Sequence, residues 1–256
     1  MTRGRGGGAP SFKFPIPNFR KCLSHINCEG ILMSQKYKLT SEIKQIKNIF
    51  TKEITTLYRI KALKDFSDVK AGDLGGFIEN ESNLSHDGNC WVYNEARVYN
   101  NAHVSDNATV CDYASVFDNA KIEGNSTVFD CARIYDNARV SDHAKVCGSS
   151  YVYDHACVLN HSEVSDRAVI KGHAKIYDNA LLTGYAQAYG NARIYGHAQV
   201  WFFAVVCDDA CIYENAKITG YTYICDKVSV FGNSYIDTKK LNGHINICDH
   251  IIKDAA

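Results

Sequence analysis

His143, His161 and His197 are the side chains of this chain best suited to proton transfer, and they fall on a grid of 18 residues. An imidazole titrates near neutral pH, so each is a candidate general base. The same slot also holds Asn107, Asn125, Asn179, Asn215 and Asn233, and a parallel row holds Asn101, Asn119, Asn137, His155, His173 and Asn191. Alternation of His with Asn is explained more simply by corner geometry and side-chain ladders than by catalysis. Regular neighbours of this kind do not converge on a tetrahedron, so no metal site is expected. The Gly4 to Gly8 cluster has no strand before it and no Lys-Ser/Thr pair after it, so it is not a phosphate loop.

Of the 11 cysteines none forms a CxxC pair, and their number is odd. Disulfide frameworks belong to small secreted domains, and no apolar leader segment is evident, so reduced thiols in a cytoplasmic setting are expected. Cys207 and Cys225 face outward on adjacent repeats with parallel Cβ bonds, which disfavours a disulfide. Lys plus Arg equals Asp plus Glu, for a formal net charge of zero. Binding to nucleic acid or an anionic membrane through a global basic excess is not expected. No apolar run is long enough to span a bilayer.

The grid of 18 comes from a shorter period. Every sixth residue from Val92 to Ile236 is Val, Ile or Leu, with Ala188 as the exception, and no residue is inserted or deleted between them. Four residues after each aliphatic comes a small residue, mostly Ala, with Ser126, Ser150 and Ser162 among them. A branched residue suits an inward strand position. The small residue suits the inside of a corner. Pairs such as Asp106-Asn107, Asp118-Asn119 and Gly196-His197 tolerate the left-handed backbone angles of a tight turn. Three six-residue sides close a triangle, so the chain is expected to be all-β, a parallel β-helix of about ten triangular coils. The rule extends with short slips to Ile78-Ser82 and Leu84-Gly88, and to Leu241-Ile245 and Ile247-Ile251.

The expected organisation is a flexible tail or over-extended start at 1–33, a small N-terminal cap at 34–77, the β-helix at 78–252 and a short tail at 253–256. Leu57, Arg59, Lys61 and Leu63 alternate with Tyr58, Ile60 and Ala62 as in a strand, while Ile43 to Ile54 is compatible with helix or hairpin.

The hexad of an aliphatic residue, three variable residues, a small residue and one more resembles the repeat of the hexapeptide-repeat superfamily. That resemblance implies left-handed winding, an exception to the right-handed crossover rule. The segment from Leu57 to Ser85, with Ala71-Gly-Asp-Leu-Gly-Gly-Phe77 at its centre, is similar to the leader of the YdcK-like hexapeptide proteins of bacteria and phages, and Gly88-Asn-Cys-Trp-Val-Tyr93 continues it. Members of that group carry an acyltransferase label. The resemblance implies acetyl-CoA or another acyl-CoA as substrate, with His143, His161 or His197 as the base, and no resident cofactor. Two departures stand against it. The slot after the aliphatic, glycine in acyltransferases of this fold, holds Tyr93, Tyr99, Ser105, Cys111 or Phe117 here, and no loop interrupts the coils.

Stacking by 18 forms two outward aromatic ladders: Tyr99, Phe117, Tyr135 and Tyr153, flanked by Arg97 and Arg133, and Tyr177, Tyr195, Tyr213 and Phe231, flanked by Lys175 and Arg193. Such ladders stabilise a flat β-face and also offer a platform for a partner chain or a sugar. At one corner Phe202-Phe203 replaces the polar pair, with Tyr185, Trp201, Leu181 and Val205 nearby. A contiguous exposed apolar patch marks an interface. The leading expectation is therefore a rigid scaffold or binding protein that self-associates there, as a homotrimer. The N-terminal segment is the competing cover. An acyl-CoA-dependent acyltransferase and a carbohydrate- or surface-binding solenoid are the alternatives.

Overall fold

The structure, a computed structural model, describes residues 35–47 and 52–254. The chain divides between Gln35 and Lys36. The tail expected at 1–33 and residues 255–256 lie outside the described residues.

From Trp91 onward the chain is a succession of very short parallel strands joined by corners, wound into about ten coils. They form the three walls of a prism, which with three preceding strands make sheets of 12, 10 and 9 strands. Between Val92 and Ile236 each strand pairs in register with the strand 18 residues away, as Thr127 and Val128 do with Lys145 and Val146, and the last coil pairs at 17 and 16. The aliphatic residue of each hexad is fully buried, and so is the small residue that follows it. The inward Ala188 keeps its place in the row. Serine is tolerated in the small slot because its hydroxyl donates to a carbonyl three residues back: Ser126 to Glu123 and Ser162 to Leu159, both at 2.7 Å.

The corners differ from expectation in which residue bends. Positive φ falls on the first residue of each pair, as in Asp106 at 58°, Asp118 at 57° and Asp130 at 57°, or on a glycine such as Gly196. The Asn/His slot follows it and does not carry the left-handed angle. Its residues are held instead by their neighbours on adjacent coils. Asn107 donates to Asn125 at 3.0 Å, and His143 stacks on His161. The bending Asp has a second task, since its carboxylate accepts the N–H of the corner residue 18 positions on. Gly124 donates to Asp106, and Gly148 to Asp130, both at 2.9 Å. Each such bond ties one coil to the next.

The first coil is covered by three longer strands: β1 (Tyr37–Lys47), β2 (Ile54–Ala62) and β3 (Leu74–Ile78). β1 and β2 pair antiparallel, so of the region from Ile43 to Ile54 the described residues Ile43–Lys47 and Ile54 lie on strands rather than a helix, and 48–51 lie outside the described residues. β3 then pairs parallel with Arg97–Val98 and joins the cap to the prism wall. Lys36 is fully buried, and its ammonium donates to the Cys90 carbonyl at 2.8 Å. The Tyr37 hydroxyl donates to the Leu84 carbonyl at 2.7 Å, and the buried Asn83 amide donates to the carbonyls of Asn100 and Ala102. These bonds satisfy backbone acceptors that a bare first coil would leave unpaired.

At the far end the six-residue rule holds only in part. Leu241 and Ile247 pack inward, but Ile245 and Ile251 are exposed, and Ile252 takes the inward place opposite Ile236. One residue fewer between Ile247 and Ile252 shifts the facing by one position.

Candidate functional site

The ten-stranded and twelve-stranded sheets meet at a corner whose outer column reads Arg167, Tyr185, Phe203, Tyr221. The three aromatic rings stack at 4.9 Å between centroids, and Arg167 ends the stack, donating to the Tyr185 hydroxyl at 3.0 Å. Beside this column, Phe202 adopts φ of 59° and projects with 57% of its surface exposed. Among the described residues every other bending residue of the coils is Asp, Asn, Glu or Gly. A bulky side chain in this region is strained. Tyr185, Phe203 and Tyr221 are also exposed, at 45, 42 and 77%. A partly open groove of about 390 Å³ runs between them, lined by Asp166, Thr183, Gly184, Tyr185, Trp201, Phe202 and Phe203. On its lining the exposed Asp166 carboxylate accepts from the Thr183 hydroxyl and the Gly184 N–H, which holds its pKa below the usual carboxylate value.

Of the six residues expected at an interface, the structure brings Tyr185, Trp201, Phe202 and Phe203 to one groove. Leu181 and Val205 flank the corner on different walls, on Leu181–Leu182 of the ten-stranded sheet and Val205–Val206 of the twelve-stranded sheet. Arg167 was not anticipated; a step of 18 back from Tyr185 would have found it.

The expected ladders are continuous. Centroids are 4.8–5.0 Å apart with interplanar angles of 4–6° from Tyr99 through Phe117 and Tyr135 to Tyr153. From Tyr177 through Tyr195 and Tyr213 to Phe231 the spacing is the same and the angles 3–6°. Within each ladder the facing ring faces are therefore occupied by one another, and only the end rings have a face free of ring contact. Burial pushes the phenols of Tyr99, Tyr135 and Tyr195 up to about 12.

His143 and His161 stack on each other at 4.8 Å on an exposed corner, and His197 lies two coils further along the same column. None of the three lines the groove at Phe202. Among the described residues one grouping has metal-ligand proximity, Asp208, Cys225 and Asp226. Its carboxylates are engaged in the coil-to-coil ladder, accepting from the N–H groups of Asp226 and Gly243, and burial raises the Cys225 thiol pKa away from the thiolate that a metal needs. Cys207 and Cys225 are free thiols, and Cys207 lies 3.2 Å from the Tyr223 hydroxyl.

Parallel coils, an unbroken inward aliphatic row and corner ladders define a β-solenoid repeat protein. Residues 132–148 match the family described as YdcK Beta solenoid repeat. Over 63 residues the chain is 40% identical to a protein of Escherichia coli (strain K12) named "Uncharacterized acetyltransferase YdcK". That stretch is 24% of this chain and spans 19% of the relative's length. In these stretches the β-solenoid resembles the YdcK-like repeat proteins.

Proposed function

We propose that the chain is a rigid scaffold that assembles with copies of itself through the Phe202 corner, as a homotrimer of left-handed coils in a reducing cytoplasm. The observation that carries this reading is Phe202, an exposed aromatic at φ of 59° where neighbouring coils place Gly. Left-handed backbone in such a residue costs roughly 1–2 kcal/mol. Exposed apolar surface costs a further ~25 cal/mol per Å². Both penalties are offset if a second chain covers the corner. A three-sided prism packs side by side about a threefold axis, a closed symmetry. The described cysteines are all free, which suits a reducing compartment. No helix among the described residues is long and apolar enough to cross a membrane.

Light scattering on the wild type should give about three times the chain mass. Phe202→Asp combined with Phe203→Asn should reduce it to one. A wild type that stays monomeric at tens of micromolar would overturn the assembly.

A second reading, transfer of an acyl group from acetyl-CoA or another acyl-CoA, is favoured by the name of the Escherichia coli relative. Here His143, His161 or His197 would act as base at a cleft made by a neighbouring subunit. Saturable binding of acetyl-CoA in calorimetry, abolished with activity by His161→Asn while the fold persists, would establish it. The sugar-platform reading is weaker, because stacking on a sugar needs an open ring face and the ladder rings occupy one another's faces.

A further inference from the structure

The nine-stranded wall places like charges side by side. Lys175 pairs in register with Arg193, and Lys121 with Arg139. Directly opposed like charges destabilise a sheet. The ten-stranded wall avoids this, pairing Lys145 with Glu163. Glu123 relieves one of the two basic pairs through its ion pair with Arg139 at 2.8 Å. Lys175 and Arg193 are exposed, and among the described residues neither forms an ion pair. They line a polar groove of about 480 Å³. Asp209 shares the groove, with one carboxylate oxygen taken by the Asn191 amide at 3.0 Å. On the other side of the inward Ile176 and Ile194 runs the phenol ladder of Tyr177 and Tyr195.

We infer that this wall binds a linear polyuronate, a glycan with one carboxylate per sugar, laid along the prism axis. Within each of the pairs Lys121–Arg139 and Lys175–Arg193, which Cys157 separates, the cations sit at the coil spacing of about 4.8 Å, comparable to the rise of an extended sugar chain. The guanidinium fork of Arg193 matches a carboxylate. The phenol hydroxyls, kept neutral, form a parallel row of donors and acceptors for sugar hydroxyls. Ring stacking plays no part, so this surface is distinct from a platform for neutral sugars. It also differs from a single-stranded nucleic-acid site, which needs open aromatic faces for the bases. The inference is independent of assembly at the Phe202 corner, which lies on a different edge of the prism.

The test is calorimetry of the full chain with oligogalacturonate at low salt. Saturable binding that weakens with salt is expected, together with none to a neutral glucan. Lys175→Ala with Arg193→Ala should weaken it about tenfold or more without lowering the melt, since both side chains are exposed and the repulsion between them is removed. The charge-conserving exchange Lys175→Arg with Arg193→Lys should retain most of it, and Asp209→Asn should tighten it. No binding by the wild type, unchanged binding by the double alanine variant, or tighter binding of oligodeoxythymidylate would each overturn the inference.

Discussion

Asp and Phe occupy the same corner position in this chain with opposite consequences. At Asp130 the left-handed angle is matched by a carboxylate that accepts the Gly148 N–H, so one short side chain both bends its own coil and holds the next. At Phe202 the same angle brings no such bond and leaves an aromatic ring in solvent. Phe202→Gly should therefore stabilise the isolated monomer by about 1 kcal/mol, strain relief less the greater chain entropy of glycine. It should also weaken self-association. Urea melts at low protein concentration and light scattering at high concentration measure the two effects separately. A variant that loses stability in the monomer would show that Phe202 packs favourably within its own chain. Glycine precedes and follows Phe202 in the same column at Gly184 and Gly220, so the position accepts the exchange sterically.

A ladder behaves as an element although no strand of the coils exceeds three residues. Its rings support one another across coils, and burial holds the phenols of Tyr99, Tyr135 and Tyr195 neutral up to about 12, against an ordinary value of 10.0. A folded-state pKa raised above the unfolded one means that the fold favours the protonated form. The associated stability is complete below pH ~10 and is lost as pH climbs through about 12. Phenolate absorbance followed with circular dichroism should show a late-titrating class of tyrosines whose ionisation accompanies unfolding. A single titration near pH 10 for every tyrosine, with the fold intact, would show that the ladders are open to water.

Across the whole molecule each coil touches only its neighbours, so stability is passed along the prism one interface at a time. Val140 sits mid-row, fully buried, between Ile122 and Val158. Val140→Asp would place an unpaired carboxylate among aliphatic side chains. Burial without a partner costs several kcal/mol or forces the acid to stay protonated. The expected outcome is a melting temperature far below the parent's, or loss of a cooperative transition. A variant melting within a degree or two of the parent would mean that the inward facing is wrong.

The periodic part of this protein was legible because its tertiary contacts are also sequence-regular. Residue i meets residue i + 18, so the inward row, the coils and the aromatic ladders can all be read from spacing. The structure was needed where partners are not periodic. Lys36 meets Cys90 across 54 residues, and Ile43–Lys47 is strand because β1 pairs with β2, which then passes the sheet on to β3. It was needed too where the chemistry is ambiguous. Asp and Asn both tolerate positive φ, and only the fold assigns the bend to the first position of each corner pair and the side-chain ladder to the second. The apolar corner was visible as residue types. That four of its six residues share a groove while Leu181 and Val205 lie on separate walls follows from how the walls meet, because a corner turns neighbours in sequence onto different faces.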